Sequence, residues 1–309
     1  MALAALLAGC DSGSGGAAVP APSGVPTPQA TATASTTPAA DVAGTAVDDT
    51  SGQPIVGASV SVGGATATTG ADGSFDVKNV PASSAAVSFA YLGAGYPVYA
   101  NAQWVEIAAN DGHAVFHAIR SIAPSGTTNL GNVAIAKPSA TDIAWLAQIN
   151  SDRATRGVPA VNSPLAFESV TLQTARYWAG EMASLGFFAH TCPSATPSCT
   201  EFWLYETQRG GLPSAQNIDL QPANGSWQAA EGAFMAETAN CPGANWQTCP
   251  FAETTGHYIN IMEAANWAGV GSSGPYFVEN FGSPADANAL YSGHVPQYSH
   301  ALQLRTAGH

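Results

Sequence analysis

Two side chains in this sequence have chemistry that calls for an explanation before any fold is assumed. His257 sits in "TTGHYINIMEAANWAGVG", residues 254–271, between a glycine and a tyrosine where a short helical turn opens. An imidazole there is a packed core residue, a metal ligand, or half of a site completed from elsewhere in the chain. Glu237 is the second. After Ser226, residues Trp227, Ala230, Phe234 and Glu237 recur at helical spacing, which puts the carboxylate on the apolar face of that helix. A carboxylate there is costly unless it has a partner or a wet cleft, and a phase error of one position would make it a solvated residue instead. His113 and His117, four apart in a strand-like run, also share a face; no third ligand type lies nearby, and both read as surface residues. No GxSxG is present, and no Ser-His-Asp order or reactive cysteine takes its place.

The elements that must position these residues follow two different patterns. From Val42 to Pro138 the chain alternates in short runs, "VAGTAVD", "ASVSVGG", "GSFDVKNV", "AVSFAYL", "QWVEIA", "HAVFHAI" and "GNVAIA", separated by turn residues. That spacing predicts an all-β sandwich, with Asp72-Gly73 as a hairpin turn. Beyond Lys137 the period becomes helical. Ser139 to Asp142 reads as a capping start, Ile143, Leu146, Ala147, Asn150 and Arg153 follow at helical spacing, and Gly157 stops the helix. A second helix runs through "ESVTLQTARYWAGEMASLG", with Leu172, Ala175, Ala179 and Met182 as its stripe and Gly186 as its stop. "GVGSS" and "PYFVENFG" read as two strands joined by a Gly-Pro turn. Helices beside a short antiparallel sheet predict an α+β layered domain. The expected fold class is therefore multidomain: an all-β sandwich over 41–137, an α+β domain over 139–285, and a tail, 286–309, in which His294, His300 and His309 read as exposed.

Composition narrows the partners. The 309 residues suffice for two domains and a linker. Eight Lys and Arg, a net charge of −13 and no basic run exclude nucleic acid and a polybasic membrane patch. Residues 11–40 are Pro, Ala, Ser, Thr and Gly with almost no large apolar side chain, so they predict a disordered tether. The preceding "MALAALLAGC" resembles a bacterial lipobox, in which Cys10 is lipidated after removal of the signal. That run is too short to span a bilayer and lacks the positive start of a signal peptide, which points to a true start upstream. The other four cysteines allow three pairings, with zinc as the competing use. The local pairs Cys192–Cys199 and Cys241–Cys249 are expected, because each closes a short Pro-containing loop and neither spacing is CxxC. Disulfides and lipidation together imply an extracytoplasmic protein, membrane-anchored or secreted.

Two family resemblances follow from longer stretches. "GTAVDDTSGQPIVGASVSV" with "TTGADGSFDVKNVP" resembles the carboxypeptidase regulatory-like domain, a small transthyretin-like β-sandwich, on Gly44, Pro54, Gly57, Asp72, Gly73 and Phe75 among others. Such domains serve as spacers or binding accessories. Residues 142–282 resemble the CAP superfamily of cysteine-rich secretory, antigen 5 and pathogenesis-related 1 proteins, and more closely its bacterial (SCP-like) members. The residues responsible are Asn150, Arg153, Gly157 and Pro164-Leu165, the "FFAH" ending at His190, "AQNI" at 215–218, "AFMAET" with Glu237, "GHYINIM", and "GVG" with "YFVENFG". Ala215 departs from the family's glycine. The resemblance implies a three-layer α-β-α sandwich whose cleft gathers His190, Gln216, Glu237 and His257. Two neutral imidazoles beside a carboxylate could hold a divalent ion such as zinc, with His190 and His257 as the metal ligands. Without an ion, Glu237 could pair with a protonated histidine. Taken singly, His190 could instead cap the second helix, His257 could pack under Tyr258, and Gln216 could be structural. Asn150 and Arg153 are expected in packing, the guanidinium satisfying backbone carbonyls.

An amide at position 216 cannot act as a general base, so a mechanism built on paired carboxylates loses one of them. The leading expectation is a non-enzymatic envelope protein that binds a small-molecule, lipid or cell-wall ligand in this cleft. Phe187, Phe188, Trp203, Tyr205 and Trp246 would either line an apolar groove or pack the core. The alternatives are a metal-assisted hydrolase, in which Glu237 activates an ion-bound water, and an adhesin or structural protein, in which the β-sandwich is the working part.

Overall fold

The computed structural model describes residues 39–88, 98–159, 164–194, 196, 198–211, 215–222, 225–264 and 266–282. Cys10, most of the tether and the tail with its three histidines lie outside the described residues.

Each alternating run of the first half coincides with a strand, the 86–92 run as far as it is described. The strands are β1 (Ala39–Asp48), β2 (Ser59–Val62), β3 (Ala65–Thr68), β4 (Ser74–Pro81), β5 (Ala86–Ser88), β6 (Val98–Ala100), β7 (Ala102–Ala108), β8 (Phe116–Ser121) and β9 (Gly126–Ile135). They form sheets in the orders β4-β1-β9 and β3-β2-β7-β8 and a separate pair, β5-β6. The period of two turns Phe75 and Val77 of β4 inward and Ser74, Asp76 and Lys78 outward, and an irregularity at Asn79, at φ +58°, brings Val80 back inside. These apolar residues join Val42, Val60, Val105, Ile107 and Ile135 in one core drawn from both larger sheets.

Two expectations change here. The Asp72-Gly73 turn forms, with Gly73 at φ +75° and the Ser74 N–H bonded to the Asp72 carboxylate, but it does not close a hairpin. β3 pairs with β2 and β4 with β1, in different sheets. The hairpin belongs to Gly63-Gly64, both at positive φ as a two-residue loop requires, and β4 crosses to pair with β1 in the other sheet. The second change concerns the two histidines. His113 precedes β8 and its side chain is only 5% exposed, with its ring nitrogens 2.7 Å from Asp48 and 2.5 Å from Asp111. His117 lies 3.0 Å from Glu106 and stacks on Trp267 at 4.5 Å. Neither is a surface residue: His113 is held between Asp48 and Asp111 within the β-rich part, and His117 is covered by Trp267 where β8 meets the second half.

The second half is mixed α/β. It runs α1 (Ala140–Thr155), β10 (Ala166–Phe167), α2 (Ser169–Leu185), α3 (Phe202–Gln208), β11 (Ala215–Leu220), α4 (Trp227–Ala236), α5 (Gly256–Glu263), β12 (Trp267–Ser273) and β13 (Tyr276–Gly282). Ser139 and Asp142 form the predicted capping box on α1. Its buried stripe is Trp145, Leu146, Ile149 and Arg153, whereas Ile143 and Ala147 are exposed, because the bulky Trp145 takes the inward direction. The α2 stripe is buried as predicted and ends at the left-handed Gly186. The sheet order is β10-β12-β13-β11, which leaves β11 at an edge. Ala268, Val270, Phe277 and Phe281 pack on one face with α1, α4 and α5, and Val278 and Ile218 on the other with α2 and α3. Gly269 and Gly271 let α2 lie directly on β12, for a Cβ at either position would come within 2.4 Å or 2.5 Å of helix backbone. Arg153 donates to the carbonyls of Ile261, Met262 and Ala264 at the end of α5, the packing role expected of it, and burial brings its pKa down to about 10. Both local disulfides, Cys192–Cys199 and Cys241–Cys249, are formed.

Candidate functional site

Glu237 does not sit within its helix. α4 ends at Ala236, and Glu237 opens the 3-10 turn Glu237–Asn240. The buried positions of α4 are Ala230, Glu231 and Phe234, so the acid on the apolar face is Glu231. Glu237 instead serves α5. Its Oε2 accepts from the backbone N–H groups of His257 (2.9 Å) and Tyr258 (3.2 Å), and its Oε1 lies 2.7 Å from His257 Nδ1. Thr255 at the N-cap makes no side-chain cap bond, and Glu237 supplies the missing acceptor from outside the helix. The Cys241–Cys249 disulfide lies in the segment between the two partners.

His190 stands five residues beyond the end of α2 and does not cap it. Its Nδ1 lies 2.9 Å from Gln216 Oε1. Gln216 Nε2 donates to Asn280 Oδ1 at 3.1 Å, so Gln216 Oε1 is the acceptor and His190 bears its proton on Nδ1. His257 Nδ1 likewise faces the Glu237 carboxylate. Both rings are thereby held in one orientation by a bond at Nδ1, with Nε2 on the far edge.

Direct hydrogen bonds hold each pair, His190–Gln216 and His257–Glu237, and the pairs attach to successive residues of the edge strand. Asn217 Nδ2 donates to the His257 carbonyl (3.1 Å) and to Glu279 Oε2 (2.9 Å). Asn260 of α5 donates to the Gln216 carbonyl (3.3 Å) and to Asn217 Oδ1 (3.0 Å). Gln216 faces Asn280 across the ladder and Asn217 faces Glu279, so their side chains leave opposite faces of β11.

The metal expectation does not fit this geometry. An Nδ1–H held by a neighbouring group is how a metal-binding imidazole is oriented, but Glu237 is then the orienting group and not a ligand. Among the described residues no three His, Cys, Asp or Glu side chains are grouped as a metal centre requires. The aromatic groove is likewise not assembled. Phe187 packs on Trp178, Trp203 on Phe202, and Tyr205 between Tyr177 and Arg209, while Trp246 joins the core beside α5. Of the five, Phe188 is the exposed ring.

Sequence reasoning missed Glu231 and Glu279. Trp145 Nε1 lies 2.8 Å from Glu279 Oε1 and 3.4 Å from Glu231 Oε2. The two acids are 0% and 2% exposed and converge on the same indole N–H. Burial, reinforced by the Glu279 charge, pushes Glu231 up to about 12. Burial also raises Glu279, against bonds from Glu231, Asn217 and Trp145. The signal was present in both segments. Glu231 lies four residues after Trp227 and three before Phe234, and Glu279 alternates with Phe277 and Phe281.

No protein-family model and no curated protein matches the chain. Among solved structures it is similar to an extracellular protein containing an SCP domain from Bacillus anthracis str. Ames, at 20% identity over 46% of this chain and 39% of that one, with a TM-score of 0.32. It is also similar to a Bacteroides fragilis NCTC 9343 protein of unknown function, named for an expected membrane association, at 17% identity over 59% of this chain and 53% of that one, with a TM-score of 0.21. Each likeness spans less than two thirds of the other protein, and at these TM-scores neither defines a shared fold.

Proposed function

We propose that this is an extracytoplasmic, non-enzymatic, CAP-like protein of a bacterial envelope, anchored through Cys10, that binds a cell-wall component at the β11 edge. The observation behind this reading is the fixed orientation of His257: Glu237 Oε1 lies 2.7 Å from Nδ1, and 29% of the imidazole side chain remains exposed. An oriented, part-exposed imidazole edge suits a hydrogen-bonding ligand rich in hydroxyl and amide groups. A lipid is the less suited ligand, because four of the five aromatics near the cleft motifs are spent in packing. The two disulfides fit an oxidising compartment.

The test is co-sedimentation of the full chain with peptidoglycan sacculi and, separately, with phosphatidylglycerol vesicles. Binding to sacculi should weaken about tenfold in His257→Ala, the loss of one hydrogen bond to a ligand. Binding to neither, or unchanged binding in the variant, would reject the proposal, and binding to vesicles alone would replace the wall by lipid.

A further inference from the structure

The buried acids Glu231 and Glu279 belong to no part of the proposed binding surface, since neither reaches solvent. Two ionised carboxylates converging on one indole N–H in a dry layer would repel each other unscreened, so one must hold a proton. The partners say which. Glu279 accepts from Trp145 Nε1 and from Asn217 Nδ2, whereas Glu231 has only a 3.4 Å approach from Trp145, and its Oε1 has no partner among the described residues. The better-donated group is the carboxylate, and the poorly donated one is the acid.

We propose that Glu231 and Glu279 share one proton in a carboxyl–carboxylate pair that latches α4 onto β13, and that losing this proton to base releases α4. The Glu231 hydroxyl donates to the Glu279 carboxylate. Hydroxide removes that proton as water, leaving two like charges face to face in a dry layer, where repulsion is scarcely screened. The charged groups facing the pair are Asp152 of α1, which opposes its ionisation, and His257 of α5, which favours it. α4 leads directly into Glu237, the acceptor that caps α5 at His257 and Tyr258. Release of α4 therefore also loosens the α5 cap. The latch is a property of the fold and holds whether or not the β11 edge binds a ligand.

Carbon-detected NMR of the full chain labelled at glutamate Cδ tests the proton directly. One glutamate carboxyl, close to the Trp145 indole proton, should stay protonated through about pH 8, where every ordinary glutamate is ionised. Its signal should be missing from Glu231→Gln. As it titrates at alkaline pH, amide exchange in residues 227–237 and 256–263, corrected for the intrinsic pH dependence, should rise about tenfold or more in the wild type and stay flat in Glu231→Gln. Complete ionisation of the glutamates at about pH 8 would overturn the shared proton. Corrected exchange that stays flat in the wild type across the carboxyl step would overturn the latch. Both of those readings come from wild-type protein, so the test survives a variant that fails to fold.

Discussion

Glu231 and Asp48 pull the stability of this protein in opposite directions along the pH axis. Burial, with the Glu279 charge, raises Glu231 to about 12, so its contribution is fully present below the unfolded glutamate range and is lost as pH rises toward that value. Burial also acts to raise Asp48, but bonds from the Ser51 backbone and hydroxyl, with His113, outweigh it and bring Asp48 down to about 2. Its contribution is present above the unfolded aspartate range and is lost as pH falls through about 2. Urea midpoints should therefore peak in mild acid and decline toward alkaline pH, and Glu231→Gln should flatten the alkaline decline. A wild-type midpoint that climbs from about pH 5 to pH 9 would contradict this. Arg153 makes a separate prediction. Arg153→Met leaves the carbonyls at the end of α5 without their donors and should cost on the order of 3 kcal/mol, read as a lower urea midpoint at unchanged slope.

β12 and α2 fit together because the strand lacks side chains where the helix crosses it. Gly269 and Gly271 face α2, while Ala268 and Val270 face the opposite core. Gly271→Ala would drive a methyl to within 2.5 Å of the backbone at Ala175 and Arg176, neither of which can rotate away. Overpacking of this kind should cost about 1–3 kcal/mol, measured as a drop in melting temperature, whereas Gly232→Ala, on α4 with open space around it, should leave stability unchanged or slightly raised. α5 shows the same dependence on a neighbour at its N-terminus. Its own sequence offers no side-chain cap, and the acceptor comes from Glu237, twenty residues earlier in the chain.

The β-rich part and the α/β part are joined by backbone and buried side chains together. The Ile119 N–H bonds the Gly210 carbonyl at 2.7 Å, and the Ser169 N–H bonds the Val115 carbonyl at 2.9 Å. Glu168, wholly buried, caps α2 through the N–H groups of Val170 and Thr171 and also accepts from the His117 N–H of β8. Tyr99 and Arg120 reach the carbonyls of Thr207 and Arg209. Such a joint makes the β-rich part more than a loose spacer. Gly210 is its tightest point, at φ +77°, where a Cβ would lie 2.2 Å from the Ile119 carbonyl oxygen. Calorimetry of the wild type should show one cooperative transition, and Gly210→Ala should lower it or resolve it into two. An unchanged thermogram would mean that the joint contributes nothing to cooperativity.

Local pattern was enough to locate the alternating strands of the first half, the Ser139–Asp142 capping box, the α2 stripe, the Arg153 packing role and both short disulfide loops. Each depends on the period of one segment or on neighbours close in sequence. What local pattern could not decide was which faces meet. Strands β3 and β4 flank a good turn yet join different sheets, since strand pairing is settled by partners distant in sequence. Glu237, which periodicity placed on an apolar stripe, is one residue beyond its helix and caps another one, while Glu231 and Glu279, each readable as inward-facing, acquire chemistry only from each other. A buried acid's protonation depends on the group opposite it, and that group is chosen when α4 closes on β13, a contact 48 residues apart in sequence that no period records.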